Sequence, residues 1–305
     1  MRIGIFGLGR MGLQIAKRLQ KNNFEVLAWN RSEEPRKAFE AAGGETHETE
    51  ADLINALNGS PKVIWVMLPH AIVDDFLFGA KGITRLLKAG DIVIDGGNSF
   101  YKDSMRRADK LKDLGIVFYD IGTSGGVWGE QRGFALMAGG PQEHWHVIEP
   151  IVKVLSSGEN YGLVGANGAG HFVKMVHNGI EYGIMEAIAE GYGVMHASSF
   201  NLDLAQVSRI YQTGSVISSW LIDLTRNIFE KENIDETSGF IDATGEGEWT
   251  VKAGEELGVD TRVIKDAFEV RNESKDPKNQ NKFSNKIVSL LRKQFGGHPT
   301  KQNEK

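Results

Sequence analysis

The stretch Ile3-Gly4-Ile5-Phe6-Gly7-Leu8-Gly9-Arg10-Met11-Gly12 decides the fold. A short apolar run, Ile3–Phe6, reads as a strand. The glycines at 7, 9 and 12 follow it at once and open a helical pattern, Met11–Gln20. This is the context in which a G-x-G-x-x-G string binds a dinucleotide: the first glycine allows a tight turn, the second lets a pyrophosphate approach the backbone, and the third lets helix and strand pack closely. The phosphates then sit at the positive end of the helix. Gly7, Leu8, Gly9, Arg10, Met11 and Gly12 are therefore candidate cofactor contacts. Arg10 also interrupts the only N-terminal stretch that imitates a signal peptide.

Working outward, the same alternation continues to about residue 163. Further strands are expected at Glu25–Trp29, Val63–Met67, Ile92–Asp95, Val117–Ile121 and Phe134–Ala138. Between them lie helical patterns at Pro35–Ala42, Asp52–Leu57, Ala71–Phe78, Ser104–Leu114 and Glu143–Leu155. Alternating elements of this kind make a doubly wound, mostly parallel α/β sheet. The pattern changes near Gly162. A long helix is expected from Gly168 to about Ser198, then further helices without a convincing strand, so an all-α domain is expected to follow. The boundary is placed at 162–167, giving domains 1–163 and 164–305. Gly296, Gly297 and Pro299 end the last helix, and Lys301–Lys305 is expected to be a frayed tail.

Composition narrows the function. The chain has 305 residues, 35 basic against 40 acidic, and a net charge of −5, so no basic surplus invites nucleic acid or an acidic membrane. No cysteine is present, which excludes a disulfide framework, a thiolate metal site and a thiol nucleophile, and favours a cytoplasmic setting. The longest purely apolar run, Val63–Leu68, is far short of the ~20 residues that span a bilayer. His144 and His146 form an isolated pair on an expected surface helix, and no metal site is assigned.

Three more clusters fall where loops leave the carboxyl ends of strands, the usual ligand crevice of such sheets. They are Met67-Leu68-Pro69, Asp95-Gly96-Gly97-Asn98-Ser99 and Ser124-Gly125-Gly126. Met67, Leu68 and Asn98 are candidate cofactor contacts. Small residues here let backbone amides face a ligand, and Asn98 and Ser124 offer side-chain hydrogen bonds. At the end of the second strand, where an acid would bond the ribose 2′-hydroxyl of NAD, the chain has Asn30-Arg31-Ser32. Arginine pairs well with phosphate, so this loop leans to NADP over NAD, with Glu33 and Glu34 opposing and a merely solvated Arg31 as the alternative.

The second domain opens with Gly168-x-Gly170-x-x-x-Lys174-x-x-His177-Asn178-x-x-Glu181-Tyr182. Offsets of 0, 3, 4, 7 and 8 put the last five on one helix face. Val173, Met175, Val176 and Ile180 flank them, so the polar face is expected to look into a cleft rather than to water.

With these strings in hand, the chain resembles a decarboxylating 6-phosphogluconate dehydrogenase, in its short form with one helical domain, within the β-hydroxyacid dehydrogenase superfamily. The likeness is carried by the glycine fingerprint, IDGGNS at 94–99, SGG at 124–126, KMVHNGIEY at 174–182 and Phe295-Gly296-Gly297-His298. It implies a Rossmann domain followed by a helical substrate-binding and dimerisation domain, NADP or NAD as cofactor, and oxidative decarboxylation of 6-phosphogluconate, as in the pentose phosphate pathway and gluconate utilisation. It further implies Lys174 as base and Glu181 as acid. Asn98, Ser124, Gly125, Gly126, His177, Asn178 and Tyr182 would contact the sugar acid and Arg271 its phosphate. Arg292 and His298 would come from the neighbouring subunit of a homodimer or higher even oligomer. One departure stands out: where the long form has a phosphate-contacting lysine, this chain reads Asp242-Ala243-Thr244-Gly245-Glu246-Gly247-Glu248-Trp249, with two acids. A second guanidinium from a partner would replace the lost charge. The alternatives are a non-decarboxylating 3-hydroxyacid dehydrogenase or imine reductase, and a catalytically silent NADP-binding sensor.

Overall fold

The structure, a computed structural model, describes residues 1–242 and 245–302. Ala243, Thr244 and the tail residues 303–305 lie outside the described residues. The chain divides into two compact units, Met1–Met175 and the chain from Val176 onward.

In the first unit the elements run β1 (Arg2–Phe6), α1 (Arg10–Lys21), β2 (Glu25–Trp29), α2 (Glu33–Glu40), β3 (Glu45–His47), α3 (Glu50–Ala56), β4 (Val63–Val66) and α4 (His70–Phe78). They continue with β5 (Ile92–Asp95), α5 (Tyr101–Asp113), β6 (Val117–Ser124), α6 (Gly129–Arg132), β7 (Phe134–Gly139), α7 (Trp145–Leu155) and β8 (Ser156–Gly165). One eight-stranded sheet has the order β3-β2-β1-β4-β5-β6-β7-β8. Every neighbouring pair is parallel except β6 and β7. Strands buried on both faces read as continuous apolar runs, and Val63-Ile64-Trp65-Val66 is wholly buried. Alternation splits that run: Val63 and Trp65 join one core with Ile15 and Leu19 of α1 and Ile148 and Ile151 of α7, while Ile64 and Val66 join the other with Leu53 of α3 and Leu111 of α5.

The next helix, α8 (Ala169–Ala197), begins on the sheet and continues into the second unit. The sequence boundary at 162–167 marks the change of element type, whereas the compact units part inside α8. The second unit then holds α9 (Leu204–Tyr211), α10 (Trp220–Lys231), α11 (Glu246–Leu257), α12 (Arg262–Glu273) and α13 (Phe283–Gly296). Its core joins Tyr182, Met185 and Ala189 of α8 to Leu224 and Ile228 of α10 and Ile287, Val288 and Leu291 of α13. Ser219 and Asp203 start α10 and α9 by accepting hydrogen bonds from the amides of Ile222 and Gln206. Gly297, at φ 59°, ends α13 in the left-handed conformation that suits glycine.

Three expectations are corrected. β3 and β8 are strands that the sequence pattern did not announce, and β8 runs through Gly162 to Gly165. Both lie at sheet edges, where one side of the strand carries no neighbour and the apolar signal fades. The tail expected to fray from Lys301 is partly held: the Ser238 amide donates to the Lys301 carbonyl at 2.9 Å, and the Lys301 ammonium lies 3.6 Å from the centroid of the Phe240 ring. Among the described residues no helix is long and apolar enough to cross a membrane.

Candidate active site

The sheet's order reverses at β1, which has β2 on one side and β4 on the other, and that switch point is where such sheets open a ligand crevice. The glycine turn leaves β1 there. Gly7 takes φ 104°, and a side chain on it would meet the Met67 carbonyl at 2.4 Å. A Cβ on Gly12 would lie 2.0 Å from the Gly7 carbonyl oxygen, so this glycine lets α1 touch the turn. Gly9 differs, because nothing lies within 4 Å of where its Cβ would be. Its backbone, at the N-cap of α1, is open to a pyrophosphate, and the first turn of α1 carries no acid to repel one. These residues fit an NAD(P) pyrophosphate.

Asn30 braces this turn from the end of β2: its Oδ1 accepts from the Leu8 amide at 2.9 Å, and its Nδ2 donates to the Ser32 carbonyl at 3.1 Å. Leu8 is buried in the core and Met11 packs against it, whereas Arg10, Arg31 and Ser32 are exposed. Arg36, which the sequence reading passed over, donates to the Asn30 carbonyl at 2.7 Å and shapes the same loop. Glu33, which opposed a phosphate, is paired with Lys37 at 2.8 Å.

The loop after β5 is held by its own acid. Asp95 accepts from the Gly97 amide at 3.1 Å, the Ser99 hydroxyl at 2.7 Å and the Arg107 guanidinium at 3.1 Å, all in the interior. A buried ion pair is tolerated because hydrogen bonds satisfy it on several sides. Asp95 and Ser99 are thus committed to the scaffold, and Asn98 is the exposed member of the motif. Ser124 ends β6, with Gly125 and Gly126 half-buried beyond it.

Along α8 the two ends of the polar stripe are buried, and His177, Asn178 and Glu181 between them are half-buried. Lys174 is 8% and Tyr182 4% exposed, while the apolar Val173, Ile180 and Ile184 are 38%, 51% and 44% exposed. Lys174 belongs to the first unit, where it lies over β6: a Cβ on Gly122 would come within 2.3 Å of the Lys174 Cβ. In the second unit His177 Nδ1 lies 2.9 Å from Asn178 Oδ1 and 3.8 Å from Glu181 Oε2.

The second unit also gathers two buried arginines. Arg271 of α12 stacks on Tyr182, its guanidinium carbon 3.1 Å from the ring centroid. Burial, with Arg292 acting in the same direction and Tyr182, Glu181 and Glu186 opposing, draws Arg271 down to about 10, so it remains a cation at neutral pH. Arg292 of α13 is likewise lowered by burial, with Tyr182, Asp242, Glu181 and Glu246 of the same chain holding it charged. Of the two acids in the departing segment, Glu248 turns to Lys252 at 2.7 Å, whereas Glu246 is 4% exposed and faces Arg292. Gly247 lets that segment close on Tyr182, whose ring carbon would lie 2.5 Å from a Cβ there. Arg292, which the resemblance takes from a neighbouring subunit, thus has acidic neighbours within its own chain. His298 is half-buried beyond the helix end, its ring 6.4 Å from that of Phe295.

A dinucleotide turn at the switch point of a Rossmann sheet, followed by a helix that carries a buried lysine and half-buried histidine and glutamate and by a helical unit, defines an NAD(P)-dependent dehydrogenase of the hydroxyacid type. Comparison with known proteins makes this specific. Residues 2–165 match the family described as the NAD binding domain of 6-phosphogluconate dehydrogenase, and residues 170–304 match the 6-phosphogluconate dehydrogenase C-terminal domain. YqeC of Bacillus subtilis, whose name assigns it provisionally to 6-phosphogluconate dehydrogenase, is 39% identical over 99% of this chain and 100% of its own. The NAD(+)-dependent, decarboxylating 6-phosphogluconate dehydrogenase of Haloferax volcanii is 35% identical over 98% of both. The solved 6-phosphogluconate dehydrogenase of Plasmodium falciparum superposes with a TM-score of 0.82 at 28% identity, over 95% of this chain and 70% of that one. The chain belongs to the 6-phosphogluconate dehydrogenase family.

Proposed function

We propose that this protein oxidises 6-phosphogluconate and releases carbon dioxide to give ribulose 5-phosphate, with NAD or NADP as cofactor. Gly7–Gly12, Asn30–Ser32 and Met67–Leu68 would hold the cofactor, which supplies a hydride acceptor when bound. Asn98, Ser124, Gly125, Gly126, His177, Asn178 and His298 hold the sugar acid, and Arg271 with Arg292 takes the phosphate. The observation that carries the reading is the polar stripe of α8, which sets one amine, the buried Lys174, and one carboxylate, the half-buried Glu181, on a single helix face.

Lys174 removes the proton from the C3 hydroxyl as hydride leaves C3, and the product is a 3-keto acid. Its carbonyl stands β to the carboxylate. Breaking the C1–C2 bond therefore sends the electron pair into an enediolate as carbon dioxide departs, and the Lys174 ammonium returns its proton to O3. Glu181 then gives a proton to the carbon that becomes C1 of ribulose 5-phosphate, while the Lys174 amine takes the proton back from O3 and leaves the ketone.

The helical unit would also pair two chains. Its exposed Ile180, Ile184, Val194, Phe200, Ile210 and Ile217 suit a second copy, and light scattering would read the mass. A chain without cysteine suits the cytoplasm. Carbon dioxide release with 6-phosphogluconate and each cofactor tests the reaction. Lys174→Met should retain substrate binding and lose at least the ~10²–10⁴-fold that a general base supplies. Retention of a tenth of wild-type kcat would remove Lys174 from this role.

A further inference from the structure

We propose that Asp120 is the positioning residue for Lys174: its buried carboxylate ties the first turn of α8 to the middle of the sheet and so fixes where the amine stands relative to Ser124. This rests on Lys174 being the base. An aspartate inside the apolar run Val117–Ile121 is out of place on a central strand, and it is 0% exposed.

Its two oxygens are both engaged. One accepts from the Gly168 amide at 2.6 Å and the other from the His171 amide at 2.8 Å. A helix start leaves its first amides without partners inside the helix, and here a carboxylate from another element satisfies two of them while meeting the positive end of the dipole. The His171 ring adds a second tie, with Nδ1 2.7 Å from Ser104 Oγ on α5.

The contact leaves little freedom. A Cβ on Gly170 would lie 2.2 Å from the Asp120 carbonyl oxygen, so helix and strand touch backbone to backbone. Residues 120, 122 and 124 share one face of β6 because strand side chains alternate. The carboxylate thus sits under the start of α8, Gly122 sits under Lys174, and Ser124 follows at the strand end. From β5 the facing group is Asp95, held by Arg107; from α8 it is His171; from β7 it is Gly139, without charge. Burial, with Asp95 adding to it, pushes the Asp120 carboxyl up to about 6, while His171 and the two amides oppose, so at neutral pH it is mainly the anion that holds the helix.

Asp120→Asn tests this, because it keeps the shape but sets an amide donor against a backbone donor. The expected result is a kcat lower by about 10–100-fold, as a misplacement of about 1 Å can cause, with KM for substrate and cofactor within about twofold. Amide hydrogen exchange should quicken at residues 168–176 and not in β1 or α1. In a Lys174→Met background the same change should cost nothing further, since Asp120 acts through the lysine. An equal loss in both backgrounds, an unchanged kcat, or unchanged exchange in α8 would overturn the proposal. A Lys174→Met enzyme with near wild-type turnover would instead overturn the base assignment beneath it. Should Asp120→Asn fail to fold, Ser104→Ala decides. A fall in kcat of about threefold or more at unchanged KM supports the tie, and wild-type kcat overturns it.

Discussion

The guanidinium of Arg271 lies flat against the ring of Tyr182, 3.1 Å from its centroid, and Arg271 Nη2 and Tyr182 Oη are both buried without a hydrogen-bond partner among the described residues. A donor left unmet in the interior costs about 1–3 kcal/mol, which an anionic ligand bonded there would return. Arg271→Lys is predicted to raise KM for 6-phosphogluconate by about 10-fold or more while changing kcat less, because an ammonium neither stacks on the ring nor grips phosphate in two places. Steady-state kinetics would show it. A KM within twofold of wild type would mean that the phosphate lies elsewhere.

The lean to NADP makes a separate prediction. Arg31 is exposed at the end of β2, where a 2′-phosphate would reach it, and Asn30 is committed to bracing the Leu8 amide. Arg31→Ala should raise KM for NADP by about tenfold, the worth of one exposed charge-assisted contact, and leave KM for NAD within twofold. An equal effect on both would make Arg31 a brace of the loop. A wild-type preference for NAD would reverse the lean.

Much of this was legible in the sequence, for reasons that particular residues make plain. Strands such as Val63–Val66 are wholly buried, so burial writes itself into the sequence as an apolar run. β3 reads Glu-Thr-His and β8 begins Ser-Ser-Gly-Glu-Asn, because edge strands have no such demand. The stripe from Lys174 to Tyr182 could be read because its flanks are apolar, and of those flanks Val173 and Ile180 are exposed while Met175 is buried. The burial of Arg271 and Arg292 could not be read, since a charged residue near the end of a helix is ordinarily solvated. Asp120 did carry a signal, an acid within a strand, that pointed to a polar partner on the neighbouring element.

A second buried acid predicts a pH dependence. Glu186, one turn beyond Tyr182 on α8, is pushed from an ordinary 4.5 up to about 7, first by burial and then by Glu190, with Arg271 opposing. Between those values the folded chain keeps a proton that the unfolded chain has released. The stability gained by the protonated form is complete below the unfolded value and lost as pH rises through about 7. A shift of that size is worth about 3 kcal/mol at most. Glu186→Gln cannot ionise, so it should raise the melting temperature relative to wild type at pH 8 but not at pH 5. The same difference at both pH values would mean that the effect is packing rather than titration.

The surroundings of Arg292 bear on whether the site is shared between subunits, as the resemblance implies. An arginine is buried only where anions offset its lost hydration, and Arg292, 6% exposed, finds Glu181, Glu246 and Asp242 in its own chain beside Tyr182. Glu181 and Tyr182 lie on α8, the helix that carries Lys174. Co-expression of Lys174→Met with Arg292→Ala separates the two arrangements. Where Arg292 serves its own chain, every hybrid dimer holds one site without the base and one without the guanidinium, and the mixture should be no more active than the average of its parents. Where Arg292 crosses to the partner, each hybrid has one intact site. Random pairing would then restore about a quarter of wild-type activity, since half the dimers are hybrids with one working site of two. Carbon dioxide release from the purified mixture, set against each parent, reads the outcome, and the expected result is no rescue.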